Sequence, residues 1–245
     1  MSTSLLYHTQ GIRGFQFQRF DYFGGQVAAR IIRDSGTFTC PECGSYETTP
    51  TYTGTRTIKA LPMGSKNFVL QVAMHRIRCH RCGVFKMERL PFLPTAKARV
   101  TRSLVRSVID LRSKMTITDL AKHFNLHWTT IKDIEKKHLK KKFRHIRLRD
   151  VRWIGVDEVH TGERMGKKGF ITVVRDMKSG AVLHVGRRNI DGITAYWTVG
   201  ITSASMEGFN NKIRWLNSQA YGYQDEEYFT LKIFDLPHIK TRRDL

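Results

Sequence analysis

"TITDLAKHFNLHWTTIKDIEKKHLKKKFRHIRLR", residues 116–149, carries two helical periods separated by a residue suited to a left-handed turn. Ile117, Leu120, Ala121 and Phe124 stand at i, i+3, i+4 and i+7, which is one apolar face of a short helix. Asn125 follows at the tight-turn position, and Leu126 supplies an apolar plug between two helices. The next helix buries Ile131 and Ile134 and leaves Trp128, Thr129, Thr130, Lys132 and Asp133 on its outer face near its N-terminus. In a helix-turn-helix, that face meets base edges in the major groove. In a plain helical hairpin the same face is only solvated. Lys136 opens a basic run to Arg149 that is expected to extend a phosphate footprint and to link to the next domain. Upstream, Leu104, Val108 and Leu111 predict a further helix over residues 98–112.

The charge distribution favours the DNA reading. The chain has 245 residues and a formal net charge of +21, which makes a polyanion its natural partner through counterion release. Residues 1–150 hold 28 Lys and Arg against 10 Asp and Glu, whereas residues 151–245 hold 14 against 11. Nucleic acid is therefore expected on the first part, with a different task for the second. No apolar run is long enough to span a bilayer, and "MSTSLLYHTQGIRG" lacks the pattern of a secretory leader. A cytoplasmic, nucleoid-associated protein with no membrane partner is the expectation.

The four cysteines fall into two knuckles, "CPECG" (Cys40, Cys43) and "CHRCG" (Cys79, Cys82), 35 residues apart. Each two-residue spacing with a following Gly lets both thiolates face one ion, and two such pairs complete a tetrahedral zinc site. Four protein ligands leave no open position for catalysis, so the metal is structural. Four unrelated buried thiols are the bland alternative. The run "NFVLQVAMHRIRC" predicts a strand ending at the second knuckle, as in a zinc ribbon, with Arg76, Arg78, His80 and Arg81 crowding that end.

Beyond Arg149 the texture changes. "VRWIGVDEVHTG" reads as a strand with Asp157 and Glu158 near its end, and "KGFITVVRDMKSGAVLHVGRR" as two more strands joined by a "KSG" turn. Near the C-terminus, "SASMEGFNNKIRWLNSQAYGY" is helical. Met206, Phe209, Ile213 and Leu216 gather on one side of it, and Glu207, Asn211 and Arg214 on another. Taken in order, the knuckles, the helix-turn-helix, the "GVDE" strand, the meander and the "EGFNNKIR" helix resemble insertion-sequence transposases of the ISL-three type. The resemblance runs from about Cys40 to Asp235. It implies a ribonuclease H-like domain whose carboxylates hold Mg²⁺ for cutting and joining DNA, with Asp157 as the first acid and Glu207 as the last. Arg214 is then placed beside DNA phosphates.

The resemblance also implies a middle Asp on a further strand, and here the chain departs from the pattern. Only 50 positions separate Asp157 from Glu207, and the other acids between them are Glu158, Glu163, Asp176 and Asp191. Glu158 points to the opposite face of its strand from Asp157, while Asp176 and Asp191 sit in turns. The expectation is an internal deletion that leaves an incomplete magnesium site, and an irregular junction over residues 192–204. The predicted architecture is multidomain α+β. It comprises an N-terminal segment (1–35), a zinc ribbon (36–95), a helix-turn-helix domain (96–149), a truncated ribonuclease H-like α/β domain (150–235) and a basic tail (236–245). The expected partner is double-stranded DNA at terminal inverted repeats, with possible self-association or association with full-length transposase. A DNA-binding regulator without catalysis and a zinc-ribbon RNA-binding protein are the competing readings.

Overall fold

The computed structural model describes residues 5–146, 148, 150–162, 169–186, 206–220 and 223–238. The chain forms two compact units, Met1–Ile134 and Glu135–Leu245. Among the described residues no helix is long and apolar enough to cross a membrane.

The first unit is built on one five-stranded sheet. After helix α1 (Leu5–Gln10) come β1 (Phe15–Phe23) and β2 (Gln26–Arg33), then β3 (Thr48–Met63), β4 (Lys66–Cys79) and the short β5 (Phe85–Met87). The strand order is β1-β2-β4-β3, with β5 also on β4. The β1–β2 hairpin turns on Gly24 and Gly25 at φ 55° and 72°, the paired positive values that a two-residue hairpin turn requires. β3 and β4 make a long antiparallel hairpin, and β2 lies parallel to β4 from Gln26↔Asn67 to Ile31↔Val72. One face of the sheet buries Ala29, Ile31, Ile58, Phe68, Leu70 and Val72 against Leu6, Ile12, Leu90, Phe92 and Leu93.

Within the expected N-terminal segment, β1 and β2 thus join the sheet of the zinc-ribbon strands. The "GG" between two apolar runs was the available signal of this hairpin.

Three helices follow in the same unit: α2 (Arg102–Leu111), α3 (Ile117–His123) and α4 (Trp128–Lys142). Thr101 caps α2 by accepting from the Leu104 N–H, and Thr116 caps α3 by accepting from the Asp119 N–H at 3.1 Å. Their core is Leu104, Val108, Leu120, Ala121, Phe124, Ile131 and Ile134, with Leu126 packed against it. The predicted helix over 98–112 begins later, at Arg102, because residues 99–101 run beside β3. The Lys59 N–H donates to the Arg99 carbonyl, and the Thr101 N–H donates to the Lys59 carbonyl, both at 2.9 Å. The Lys59 ammonium donates to the Asn125 carbonyl, and burial pushes its pKa down. The ribbon and the helix-turn-helix therefore lie within one compact unit. The boundary falls inside α4, between Ile134 and Glu135, ahead of the expected position at residue 150.

The second unit is an antiparallel meander, β6 (Ile154–His160), β7 (Phe170–Asp176) and β8 (Val182–Gly186), with helices α5 (Met206–Gln219) and α6 (Glu226–Asp235). Val159, Ile171, Val173 and Val182 on the sheet pack against Phe209, Ile213 and Leu216 of α5 and Phe229 and Ile233 of α6. Each such large side chain contributes about 1.5–3 kcal/mol on full burial.

Residues 135–142 of α4 dock on α6 through paired charges. Buried Glu135 accepts from the Tyr228 hydroxyl at 2.5 Å and from the Lys232 ammonium at 2.9 Å. Lys142 pairs with fully buried Asp235 at 2.7 Å. Removing one partner from such a buried pair strands the other charge, which costs more than the pair itself contributes.

Gly155 of β6 admits the first residue of α5. A Cβ there would sit 2.9 Å from the Met206 Sδ and 2.5 Å from the Met177 Sδ, and Met206 is fully buried. Gly155→Val should therefore destabilise this unit by about 1–3 kcal/mol through overpacking, seen as a lower thermal midpoint. An unchanged midpoint would show that α5 does not dock at Gly155.

Candidate functional site

The cysteine cluster is made by two matching turns. The Gly44 N–H donates to the Cys40 carbonyl and the Gly83 N–H to the Cys79 carbonyl, each at 3.1 Å. Both glycines have positive φ, 73° and 71°, so the residue after each knuckle needs the left-handed region that glycine reaches without strain. The Cys40 and Cys82 sulfurs lie 3.6 Å apart, as do those of Cys43 and Cys79, and all four lie within 4.8 Å of one another. Thiolates on a tetrahedral zinc at ~2.3 Å stand roughly 3.8 Å apart, so the set fits the ion. Backbone N–H groups of Cys43 and Glu42 aim at the Cys40 sulfur and lower its pKa to about 6, against the opposing effect of burial. The first knuckle thus favours the thiolate at Cys40, whereas at Cys82 the Val84 N–H lowers the pKa but burial and the neighbouring sulfurs outweigh it and push the thiol up. The protein carries a structural zinc site at Cys40, Cys43, Cys79 and Cys82.

The helix-turn-helix geometry follows from its turn. Asn125 has φ 49°, and the Leu126 N–H returns to the Ala121 carbonyl at 2.8 Å. α4 then starts at Trp128, which is 52% exposed. Thr129, Thr130 and Lys132 are half-buried beside it, and the Thr129 hydroxyl pairs with His127 Nδ1 at 2.8 Å.

Further along α4 the structure departs from expectation. Lys136 does not face solvent for a phosphate: Asp225 holds its ammonium at 2.7 Å and Glu227 at 3.0 Å, and Asp225 foremost raises its pKa. Lys140 pairs with Glu227 and Lys142 with Asp235, so three lysines of the basic run are held by acids of α6 and its N-cap Asp225. A single sequence shows the charge of such a run but not the acids some 90 residues later that meet it. Arg147 and Arg149, at the end of the run, lie outside the described residues.

Asp157 faces α5 from β6, on the same side as Val159. Its Oδ1 accepts from the Glu158 N–H at 2.8 Å, and its Oδ2 accepts from Asn210 Nδ2 at 2.5 Å. Glu158 is exposed and, by strand alternation, on the other face. One α5 turn before Asn210 stands Glu207, exposed with Asn211 and Arg214, and the Arg214 guanidinium donates to Asn211 Oδ1 at 3.1 Å. A second amide, Asn217, donates to the Thr161 carbonyl at 2.9 Å, so two asparagines seven residues apart tie α5 along β6. Sequence reasoning missed both, although at helical spacing they flank the apolar stripe.

Asp176 is turn chemistry. Burial pushes its pKa up, but the Ser179 hydroxyl and the Lys178 and Ser179 N–H groups outweigh this and hold it below the usual carboxylate range. Glu163, Asp191 and the expected junction over 192–204 lie outside the described residues. Among the described residues, the four cysteines are the only set of three or more His, Cys, Asp or Glu side chains gathered around one point. The described carboxylates therefore do not make a two-ion triad.

One zinc per chain is expected by native mass spectrometry, retained at neutral pH and released on acidification as protons compete for the thiolates. Cys79→Ser should lose the ion and the thermal transition of the first unit together. A Cys79→Ser chain that keeps both would contradict a structural role.

Known families match the chain in three consecutive pieces. Residues 36–82 match the zinc-finger of transposase IS204/IS1001/IS1096/IS1165, and residues 88–139 match the helix-turn-helix domain of transposase family ISL3. Residues 181–233, from β8 into α6, match the ISL3 transposase domain; this piece includes Glu207 and leaves Asp157 outside. The transposase for insertion sequence element IS1001 of Bordetella parapertussis is 30% identical over 149 residues, which are 60% of this chain and 35% of that protein. The chain thus spans about a third of the relative's length in that match. No solved structure matches. By its zinc ribbon, its helix-turn-helix and its C-terminal segment, in that order, the chain belongs to the ISL3 family of transposases.

Proposed function

We propose that this protein recognises the ends of an insertion element through its first unit, in the cytoplasm and on nucleoid DNA, and holds them without completing strand transfer. The observation that carries this reading is the contrast between the two units. The helix-turn-helix has its caps, its Asn125 turn and an exposed Trp128 at the head of α4. The described catalytic carboxylates are only Asp157 and Glu207. The contacts proposed for base edges and nearby phosphates are Trp128, Thr129, Thr130 and Lys132, with Arg214 beside the Asp157 region; Lys136 is withdrawn because Asp225 and Glu227 hold it. The β6–β8 meander with α5 behind it is compatible with part of a ribonuclease H-like fold, and Asp157 and Glu207 take the first and last acidic positions.

Mg²⁺ bound by a full set of carboxylates supplies the activation of water or a 3′-hydroxyl and the stabilisation of the leaving oxygen. The residues described here fit only part of such a set, so no cleavage step is assigned to them. This same shortfall favours a second reading, in which the protein occupies terminal inverted repeats as a regulator and competes with a full-length transposase or joins it.

Element-end duplex should bind at least about a thousandfold more tightly than random duplex of the same length, with affinity falling steeply as salt rises. Trp128→Ala and Thr130→Ala should each erode that preference by about tenfold or more while leaving the salt dependence nearly intact, as measured by mobility shift. Equal affinity for both duplexes at moderate salt would refute end recognition, and a preference for structured RNA would replace it with the RNA-binding reading.

A further inference from the structure

Among the described residues, four buried side-chain atoms lack a hydrogen-bond partner: Asp34 Oδ1, Thr172 Oγ1, Asn210 Oδ1 and Asn217 Oδ1. Of these, only Asn210 Oδ1 belongs to a group that touches a candidate metal carboxylate. Asn210 is 5% exposed, and its amide nitrogen already donates to Asp157 Oδ2. Its carbonyl oxygen, on the same carboxamide, is buried with nothing to accept from. A buried carbonyl without a partner is costly, and native structures seldom keep one unless a ligand, ion or water answers it.

The surrounding chemistry selects the ligand. Each oxygen of Asp157 takes one N–H and keeps a second lone pair. Glu207 stands one turn earlier on α5, at the i, i+3 spacing that places two side chains side by side. The three residues therefore offer only oxygen, from two carboxylates and one carboxamide, on two elements tied together by the Asn210 and Asn217 hydrogen bonds. Hard divalent cations take that donor set, and asparagine carbonyls are ordinary members of it.

We propose that Asp157, Asn210 and Glu207 form a site for one divalent cation, in which the Asn210 carboxamide oxygen occupies the third protein position. This rests on the reading of Asp157 and Glu207 as the metal carboxylates of the proposed function. With two charges rather than three, the set suits one ion whose remaining positions take water or a DNA phosphate oxygen. Chemistry on both sides of a scissile phosphate needs two ions roughly 3.5–4 Å apart. The site thus strengthens the hold on a DNA end without equipping the chain to cut it.

The test is a Mn²⁺ titration of the zinc-loaded full chain, followed by electron paramagnetic resonance, with thermal midpoints recorded with and without Mn²⁺. The wild type should bind one Mn²⁺. Asn210→Leu, which keeps the volume and loses the oxygen, should weaken binding by about tenfold or more. Asn210→Asp should bind more tightly; without Mn²⁺ its midpoint should fall, because two carboxylates then face each other, and Mn²⁺ should restore it. If Asn210→Leu does not fold, the Mn²⁺ rescue of Asn210→Asp decides alone. Asp157→Asn should abolish binding. Loss in Asp157→Asn with unchanged affinity in both Asn210 variants would overturn the role of Asn210 and leave the carboxylate reading standing. Unchanged affinity in Asp157→Asn, or no Mn²⁺ binding by the wild type, would overturn the carboxylate reading itself.

Discussion

Four thiolates that must meet at one ion constrain the first unit. Cys40 and Cys43 precede β3, while Cys79 ends β4 and Cys82 follows it, so bringing their sulfurs within 4.8 Å closes the open end of the β3–β4 hairpin. With β4 held, β2 can lie parallel to it and carry β1, and β3 presents Lys59 to the start of α2 and to the turn at Asn125. The ribbon therefore does more than carry a metal. It is the platform on which the helix-turn-helix is set, and loss of zinc is expected to reach the recognition helix through β3.

The second unit uses charge differently. Residues 1–150 carry 28 Lys and Arg against 10 Asp and Glu, an excess expected of a surface that meets phosphate. In the second unit Lys136, Lys140, Lys142 and Lys232 are each matched by an acid, and two of those acids, Glu135 and Asp235, are buried. These lysines fix where α6 lies against residues 135–142 and are not available to DNA. Within the same unit, Asn210 ties α5 to Asp157 of β6 and Asn217 ties it to Thr161 just beyond that strand.

Much of this was legible in the sequence because it depends on short-range chemistry. The CxxC-Gly spacing, the i, i+3, i+4 faces of α3 and α5, Asn125 as the left-handed residue and Asp176 as a turn acid all follow from neighbours a few residues away. What was not legible depends on partners far apart in the chain. The parallel pairing of β2 with β4, the capture of Lys136 by Asp225 and the bond between Asn210 and Asp157 span from about 40 to 90 residues. Hydrophobic period reports which face is buried, not which polar group on its margin finds a mate. Among the described acids between Asp157 and Glu207, Asp176 is held by its own turn and Glu158 is exposed on the other face of β6.

The central claim is that recognition is complete and the catalytic carboxylates are not. A supercoiled plasmid bearing the element ends, incubated with the zinc-loaded chain and Mg²⁺ or Mn²⁺, addresses it most directly. The account predicts that the ends are protected from nuclease while the plasmid stays supercoiled. Nicking at the element ends that disappears in Asp157→Ala would contradict it, since it would show that this chain assembles a working metal site.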